Sequence, residues 1–207
     1  MSKEMFKNLF KKSDTVDSSG PFDTLYKEMI RSYAICVCTY LQNHPQYKHW
    51  KSNWDILENN LKKNNLKVEQ LKIDHEQIAY TQNKGQLLCF RWKDSQHYIK
   101  KDVFIYVVLH ELTHQCFPRD FIGHKEPFPT MLCILCFAAL ELGLYNLENI
   151  PENVVTSNGQ DITSRLSIKE ELLVAINLLM EKNPHMKDYY SKWIKFIYVK
   201  CGSNSNA

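Results

Sequence analysis

The sequence has little arginine and little glycine. Only four of its 26 Lys and Arg residues are arginines, although the arginine side chain is the better fork for phosphates and nucleic-acid bases. The six glycines form no glycine-rich loop of the kind that cradles phosphates. The formal net charge of +3 gives no indication of a nucleic-acid or anionic membrane partner. A sequence-reading DNA-binding protein is therefore disfavoured, although a nucleic-acid partner stays open.

The sequence also lacks a long hydrophobic run and a secretory signal. The apolar run YAICVCTYL covers residues 33–41, far fewer than the roughly 20 residues that a membrane-spanning helix needs. We therefore expect no transmembrane segment. The chain does not begin with an apolar core followed by a small-residue cleavage site. We expect an intracellular protein in a reducing compartment, and not a secreted one.

The seven cysteines are odd in number and lie mostly within apolar runs. We expect reduced thiols that pack in the core. Cys133 and Cys136 have the C-x-x-C spacing of a zinc knuckle or a redox pair, but residues three apart on a helix also share one face. No second C-x-x-C pair is present to complete four ligands. Core packing is therefore the favoured interpretation of this pair as well.

The length of 207 residues and the hydrophobic fraction of 44% are typical of one globular domain. We expect a flexible N-terminal segment over residues 1–20, a single domain over 21–201 and a disordered tail over 202–207. The N-terminal segment begins with MSKEMFKNLFKK, a basic amphipathic stretch. Such a stretch can touch a membrane or a partner, but it is more typical of a loosely held terminus.

Periodicity and turn residues predict an α+β fold with a small sheet. Strand-like runs between Leu66 and Trp92 flank the turn 83–85, Asn-Lys-Gly. Asp102 is the expected N-cap of a central helix that runs to Pro118. Residues 150–165 are interpreted as a polar connector. Apolar residues at a spacing of three or four predict helices over 22–42, 49–62, 103–117, 130–147, 167–181 and 185–200.

In the first predicted helix, the apolar positions that recur at this spacing indicate a helix that ends before His44-Pro45. They are Leu25, Met29, Tyr33, Cys36 and Tyr40.

The central helix carries His110-Glu111-Leu112-Thr113-His114, an H-E-x-x-H pattern. Residues four apart on a helix project from one face about one turn apart, so both imidazoles can bind one ion. Glu111 is offset from them and can reach a water molecule at that ion. Zinc lowers the pKa of such a water to about 7, and the carboxylate removes its proton as it attacks a carbonyl group. The pattern therefore predicts peptide-bond hydrolysis.

A catalytic zinc ion takes three protein ligands and keeps one coordination position open. His124 follows His114 by ten residues, after a loop that can turn the chain back over the metal. We predict His124 as the third ligand. Alternatives that the sequence leaves open are Asp120, Glu126 and Glu141.

Three segments in this order, YTQNKGQLLCF, YVVLHELTHQ and GHKEPFPTMLCILCFAALELGLY, resemble the WLM-type zinc metallopeptidases. The likeness is to short forms similar to proteins of large double-stranded DNA viruses, and it covers residues 74–152. It implies a zincin-like fold: a small, mostly antiparallel sheet, an active-site helix and several packing helices. It also implies one Zn²⁺ per chain, held by His110, His114 and His124, with Glu111 as general base and Phe128 packed behind the third ligand.

The sequence departs from that family pattern in two places. Pro127 and Pro129 are expected to delay the start of the helix after His124. The connector ENIPENVVTSNGQDI lacks the P-V-x-Y-C-G-like stretch expected there. The resemblance therefore implies nothing about contacts on the substrate side.

The motif and the resemblance together predict a viral zinc metallopeptidase, a hydrolase that acts on a protein or peptide substrate. Its expected location is the host cytoplasm or nucleus, or the virion. Two alternatives stay open: a structural or virion-associated protein that keeps a zincin fold, and a DNA-associated protease acting on protein–DNA crosslinks. The second of these predicts DNA binding that weakens steeply with salt.

Two further sets of residues are candidates for supporting roles. Tyr106, one helical turn before His110, and Tyr145 are candidates for stabilising an oxyanion. A stripe of lysines and aromatics near the C terminus resembles a site for single-stranded nucleic acid, but is more typical of a core helix with snorkelling lysines. The stripe consists of Lys192, Trp193, Lys195, Phe196, Tyr198 and Lys200.

Overall fold

The computed structural model describes residues 15–16, 21–63, 66–82, 87–93, 98–118, 120–121, 123–157 and 160–201. The amphipathic stretch of the predicted N-terminal segment and the predicted tail lie outside the described residues. Thr15–Val16, within the predicted flexible segment, forms a short strand that pairs with a strand of the main sheet.

The described residues form a mixed α+β fold, which confirms the predicted fold class. The strands are β1 (Thr15–Val16), β2 (Lys67–Leu71), β3 (Ala79–Gln82), β4 (Leu87–Phe90), β5 (Val155–Ser157) and β6 (Gln160–Thr163). The α-helices are α1 (Pro21–Asn43), α2 (Lys51–Lys63), α3 (Lys101–His114), α4 (Phe128–Glu141), α5 (Arg165–Lys182) and α6 (Lys187–Lys200). Short 3₁₀ helices cover Pro45–Trp50, Leu147–Asn149 and Pro184–Met186.

The larger sheet has the strand order β1-β2-β4-β3. Strands β3 and β4 are antiparallel, with Ala79 opposite Phe90 and Gln82 opposite Leu87. The predicted turn at 83–85 lies outside the described residues. Strand β1 is antiparallel to β2, whereas β2 and β4 are parallel. Two of the three pairings are therefore antiparallel, and β3 lies at the edge of the sheet. The contact between β3 and α3 brings this edge to the helix that carries the H-E-x-x-H pattern.

The polar connector predicted over residues 150–165 contains two short strands that the sequence did not predict. Strands β5 and β6 pair there as a two-stranded antiparallel sheet. Along β5 only Ser157 is buried, while Val155 is partly exposed and Thr156 is exposed. Strands this short, with polar residues on both faces, lack the apolar alternation by which a strand is recognised in a sequence.

Helix α3 begins two residues earlier than the predicted start at residue 103, and its N-cap is Lys100 and not Asp102. The first intrahelical hydrogen bond runs from the backbone N–H of Phe104 to the carbonyl oxygen of Lys100. Asp102 lies inside the first turn, where its carboxylate accepts hydrogen bonds from Asn146 N (2.7 Å) and Asn149 Nδ2 (3.1 Å). Asp102 therefore ties the start of α3 to the chain that follows α4.

Helix α4 starts earlier and ends earlier than the predicted range of 130–147. It begins at Phe128 because a proline in the first turn lacks only an N–H that has no intrahelical partner there. It ends at Glu141 because Gly143 adopts a φ of +65°, a left-handed conformation that terminates helices. The backbone N–H groups of Gly143 and Leu144 then satisfy the carbonyl groups of Leu140 and Ala139.

The buried face of α1 does not coincide with the apolar repeat from which the helix was predicted. The residues of α1 that are at most 1% exposed are Ile30, Ala34, Val37 and Leu41. Leu25, a member of that repeat, is 60% exposed, and Cys36 is also exposed. The other six cysteines are buried, and none of the seven forms a disulfide bond within the described residues, so the expectation of core packing fails only for Cys36.

The C-terminal stripe belongs to α6, of which Tyr190 and Ile197 are the buried residues. Phe196 is 38% and Tyr198 is 44% exposed, so the interpretation of the stripe as a core face was wrong for these two. None of the helices formed by the described residues is both long enough and apolar enough to cross a membrane.

Candidate metal centre

Helix α3 and the loop after it bring three histidines together. His110 and His114 lie one turn apart on α3, and their ring centroids are 5.2 Å apart. His124 lies in the loop between α3 and α4. Its Nε2 atom is 3.1 Å from Nε2 of His110 and 3.2 Å from Nε2 of His114. The predicted ligand residues therefore converge on one point.

Gly123 and Phe128 shape the loop that carries His124. Gly123 has a φ of +92°, which glycine adopts without the steric cost that a Cβ atom would add. Phe128 is 2% exposed and begins α4. Its ring centroid lies 5.1, 4.5 and 4.7 Å from those of His110, His114 and His124. One buried aromatic ring thus supports all three imidazoles.

The three histidines could hold a metal ion, because one ligand atom from each lies within 4.8 Å of the others. A tetrahedral zinc ion binds imidazole nitrogen at about 2.0–2.1 Å, which places two such nitrogens about 3.4 Å apart. The Nε2 separations of 3.1 and 3.2 Å from His124 are close to that value. Imidazole suits zinc as well as copper, iron and nickel. The residues present therefore fit a zinc ion.

Burial also favours the metal-binding form of His110. Desolvation by burial, together with the neighbouring His124, lowers the pKa of its imidazolium to about 4. His110 is therefore neutral at pH 7. A neutral imidazole is the form that donates a lone pair to a metal.

Glu111 faces the sheet and does not belong to the group of converging ligand atoms. Its side chain is 5% exposed, and the hydroxyl of Thr81 on β3 donates a 2.6 Å hydrogen bond to Oε2. Burial raises the pKa of the Glu111 carboxyl to about 7, although the Thr81 hydrogen bond opposes that change. A carboxyl group that titrates near pH 7 is well matched to accept and return a proton under neutral conditions.

The alternative ligands lie outside this group. Glu126 is exposed and accepts a 2.9 Å hydrogen bond from Thr130. Asp120 is also exposed, and neither carboxylate joins the three histidines. Glu141 ends the helix that Phe128 begins, about 20 Å along its axis. Its carboxylate accepts hydrogen bonds from four side chains: Tyr40, Tyr47, Tyr189 and Gln46.

Both tyrosines proposed for an oxyanion hold other hydrogen bonds. The hydroxyl of Tyr106 donates to Oε1 of Glu171 at 3.0 Å. Tyr145 is 4% exposed and donates to the carbonyl oxygen of Cys136 at 3.2 Å. The hydroxyl of Tyr145 therefore serves the core and not the candidate site.

Thr81 is the site residue that the sequence did not reveal. It lies 30 residues before Glu111 along the chain, and only the pairing of β3 with β4 brings it to α3. The turn at 83–85 and its flanking strands indicated a strand here, but gave no information on which residue would face the helix.

One similar protein comes from Invertebrate iridescent virus 3 and carries the name "Uncharacterized protein 042R". It is 40% identical to this chain over 72 residues, which are 34% of this chain and 44% of that protein. The match thus spans less than half the length of the viral relative. No family model matches the chain, and no solved structure matches it.

Proposed function

We propose that this chain is a zinc-dependent metallopeptidase. The observation that supports the proposal is the convergence of three imidazoles beside a separate, buried carboxyl group. That carboxyl group, of Glu111, lies on the helix that carries two of the imidazoles. A structural zinc site closes all four positions with protein ligands, whereas a catalytic site uses three and leaves one open. Among the described residues the group contains three ligands, and His124 is exposed. The arrangement therefore favours a catalytic centre.

In this proposal His110, His114 and His124 hold the ion through Nε2. Bound zinc would supply Lewis acidity to an attacking water molecule and to the substrate carbonyl. Glu111 accepts a proton from that water molecule and delivers it to the leaving amide nitrogen. The buried position of Glu111 keeps bulk water from competing for this proton, while the exposed side of the site admits a protein or peptide substrate.

We propose that the chain belongs to the WLM-type metallopeptidases. This part of the proposal rests on the three sequence segments that resemble that family. A viral origin is proposed as well, and the similarity to a protein of Invertebrate iridescent virus 3 supports it over a third of the chain. The host cytoplasm or nucleus is the proposed location.

Zinc content and cleavage of fluorescein-labelled casein test the function. We expect one zinc per chain in the wild type and in Glu111→Gln, and casein cleavage that falls by about 10²–10⁴-fold in Glu111→Gln because the general base is lost. His124→Ala should lose zinc and cleavage together. Glu126→Gln is the matched control, since it changes an exposed glutamate beside His124 and should keep both.

Three outcomes would contradict the proposal. A wild-type protein without specific zinc binding would remove the metal centre. A Glu111→Gln variant that cleaves casein at the wild-type rate would remove the assigned base. A wild type that binds zinc and cleaves nothing would favour the structural alternative.

A further inference from the structure

Strand β3 contributes a hydroxyl group directly to the candidate catalytic carboxylate. The hydroxyl oxygen of Thr81 lies 2.6 Å from Oε2 of Glu111 and 3.4 Å from the backbone carbonyl oxygen of the same residue. Thr81 is partly buried on an edge strand that contacts α3. The short distance is typical of a hydroxyl that donates to an ionised carboxylate.

The hydrogen bond from Thr81 fixes a side chain that otherwise has considerable freedom. A glutamate has three rotatable side-chain bonds, and the last of them is broad. Within the described residues, Thr81 is the only side chain that hydrogen-bonds to the Glu111 carboxylate. A threonine hydroxyl on a paired strand is a rigid donor, because its β-branched side chain has few rotamers. Holding Oε2 leaves Oε1 as the oxygen that can turn toward the histidines.

We propose that Thr81 is a positioning residue that holds the Glu111 carboxylate in the orientation required for proton transfer. This inference rests on the proposed metallopeptidase function. General acid–base transfer requires heavy atoms within about 2.6–3.2 Å, so a freely rotating carboxylate spends much of its time out of reach. In this role Thr81 contacts neither the three histidines nor the substrate. It acts through Glu111 alone.

A purely structural role makes a different prediction. If Thr81 only ties β3 to α3, its loss lowers stability but leaves the turnover of each folded molecule unchanged. Thr81→Val is nearly isosteric and removes the donor, whereas Thr81→Ser keeps the hydroxyl and removes only the methyl group. Thr156→Val provides the matched control, because Thr156 is a strand threonine at an exposed position of the second sheet.

The test compares kcat and KM for fluorescein-labelled casein, zinc content and crystal structures for the wild type and these three variants. We expect kcat of Thr81→Val to fall about 10–100-fold, the range for loss of a hydrogen bond to a charged group, with KM and zinc content unchanged. Thr81→Ser should recover most of kcat, and Thr156→Val should match the wild type. In the crystal structure of Thr81→Val, the Glu111 carboxylate should occupy more than one orientation.

The possible failures are distinguishable. If the wild type cleaves casein and Thr81→Val keeps its kcat, the positioning role is wrong while the proposed function stands. A single wild-type orientation of Glu111 in the Thr81→Val crystal structure would overturn the positioning role as well. If the wild type binds zinc but cleaves nothing, the proposed function fails and this inference fails with it.

Discussion

Glu111 and Glu141 show how the surroundings of a carboxyl group decide its role. Both are largely removed from water, and burial raises the pKa of each. Glu141 accepts hydrogen bonds from three tyrosine hydroxyls and from Gln46, which oppose the effect of burial and saturate its oxygens. Among the described residues, Thr81 is the one side-chain donor to the Glu111 carboxylate. Of the two glutamates, the one beside the histidines therefore has an oxygen that accepts no hydrogen bond from a described side chain.

The raised pKa of Glu111 predicts a pH-dependent stability in the metal-free protein. The folded chain holds this proton up to about pH 7, whereas a glutamate in the unfolded chain releases it near its ordinary pKa of 4.5. The folded state therefore binds more protons between these values, and the free energy of unfolding falls as the pH rises through them. We expect Glu111 to account for a loss of about 3 kcal/mol by pH 8.

Urea unfolding from pH 4.5 to 8, with a chelator present, measures this loss. Glu111→Gln should not show this loss, so the difference in the free energy of unfolding between variant and wild type should grow across that pH range. His110, whose pKa is lowered, makes the opposite contribution below its ordinary pKa of 6.5, but it is present in both proteins and cancels in the difference. Parallel stability curves for the two proteins would show that Glu111 is not buried as described.

The site residues that were predicted from the sequence are close to one another along the chain. His110 and His114 are set side by side by helical spacing alone, and His124 needs only a short loop to return to them. The hydrogen bond from Thr81 depends on the pairing of two strands and their packing on α3. Neither the strand pairing nor the packing on α3 leaves a periodic pattern in the sequence, so the hydrogen-bond partner of Glu111 became visible only in the folded chain.

At the scale of elements, the start of α4 supports the candidate metal centre through Phe128. We expect Phe128→Ala to lower the free energy of unfolding by about 3–5 kcal/mol, as large-to-small changes of buried aromatics do. We also expect weaker zinc binding, because the ring touches all three imidazoles. Competition with a chromophoric chelator, at a temperature where the variants are folded, measures the affinity.

Phe137→Ala is the matched control for this prediction. Phe137 is equally buried in α4 but packs against Trp193 and Tyr190 of α6. It should lose comparable stability and keep the zinc affinity of the wild type. Equal zinc affinities in the two variants would mean that Phe128 supports the fold and not the histidines.

The end of α4 gives a second prediction at this scale. Gly143 has a φ of +65°, and a Cβ atom added there would meet no atom within 4 Å. Backbone strain alone therefore sets the effect of Gly143→Ala, which we expect to lower the free energy of unfolding by about 1 kcal/mol. Gly143→Asn should cost less, since asparagine enters this region more readily. Thermal unfolding measures the stability of both variants. A Gly143→Ala variant as stable as the wild type would contradict the left-handed conformation of Gly143.

Element positions were predictable where the sequence has one dominant period. The β3–β4 pair and the two closing helices follow such patterns. Helix α1 carries apolar residues on more than one face: Leu25 and Ile35 are each 60% exposed, while Ile30 and Val37 are fully buried. Periodicity cannot select among such faces, because the choice depends on where the sheet and α3 pack against the helix.

At the scale of the whole molecule, the hydrophobic core forms without the side chains of the candidate metal centre. One cluster of buried residues joins all six helices and the larger sheet. The histidines lie at its rim, with His110 and His114 partly buried and His124 exposed. A zinc ion held at this site would add stability to a chain whose core is already formed, unlike the metal of a small zinc finger.

Removing zinc should therefore lower the melting temperature without unfolding the chain. At a free zinc concentration about 1,000 times the dissociation constant, binding contributes about 4 kcal/mol, or about 10 °C for a domain of this size. Circular dichroism with and without a chelator measures the shift. His124→Ala should abolish it, and His49→Ala should keep it, since His49 is exposed and contacts Lys182. A chelated chain without helical signal at 25 °C would show that the core depends on the metal.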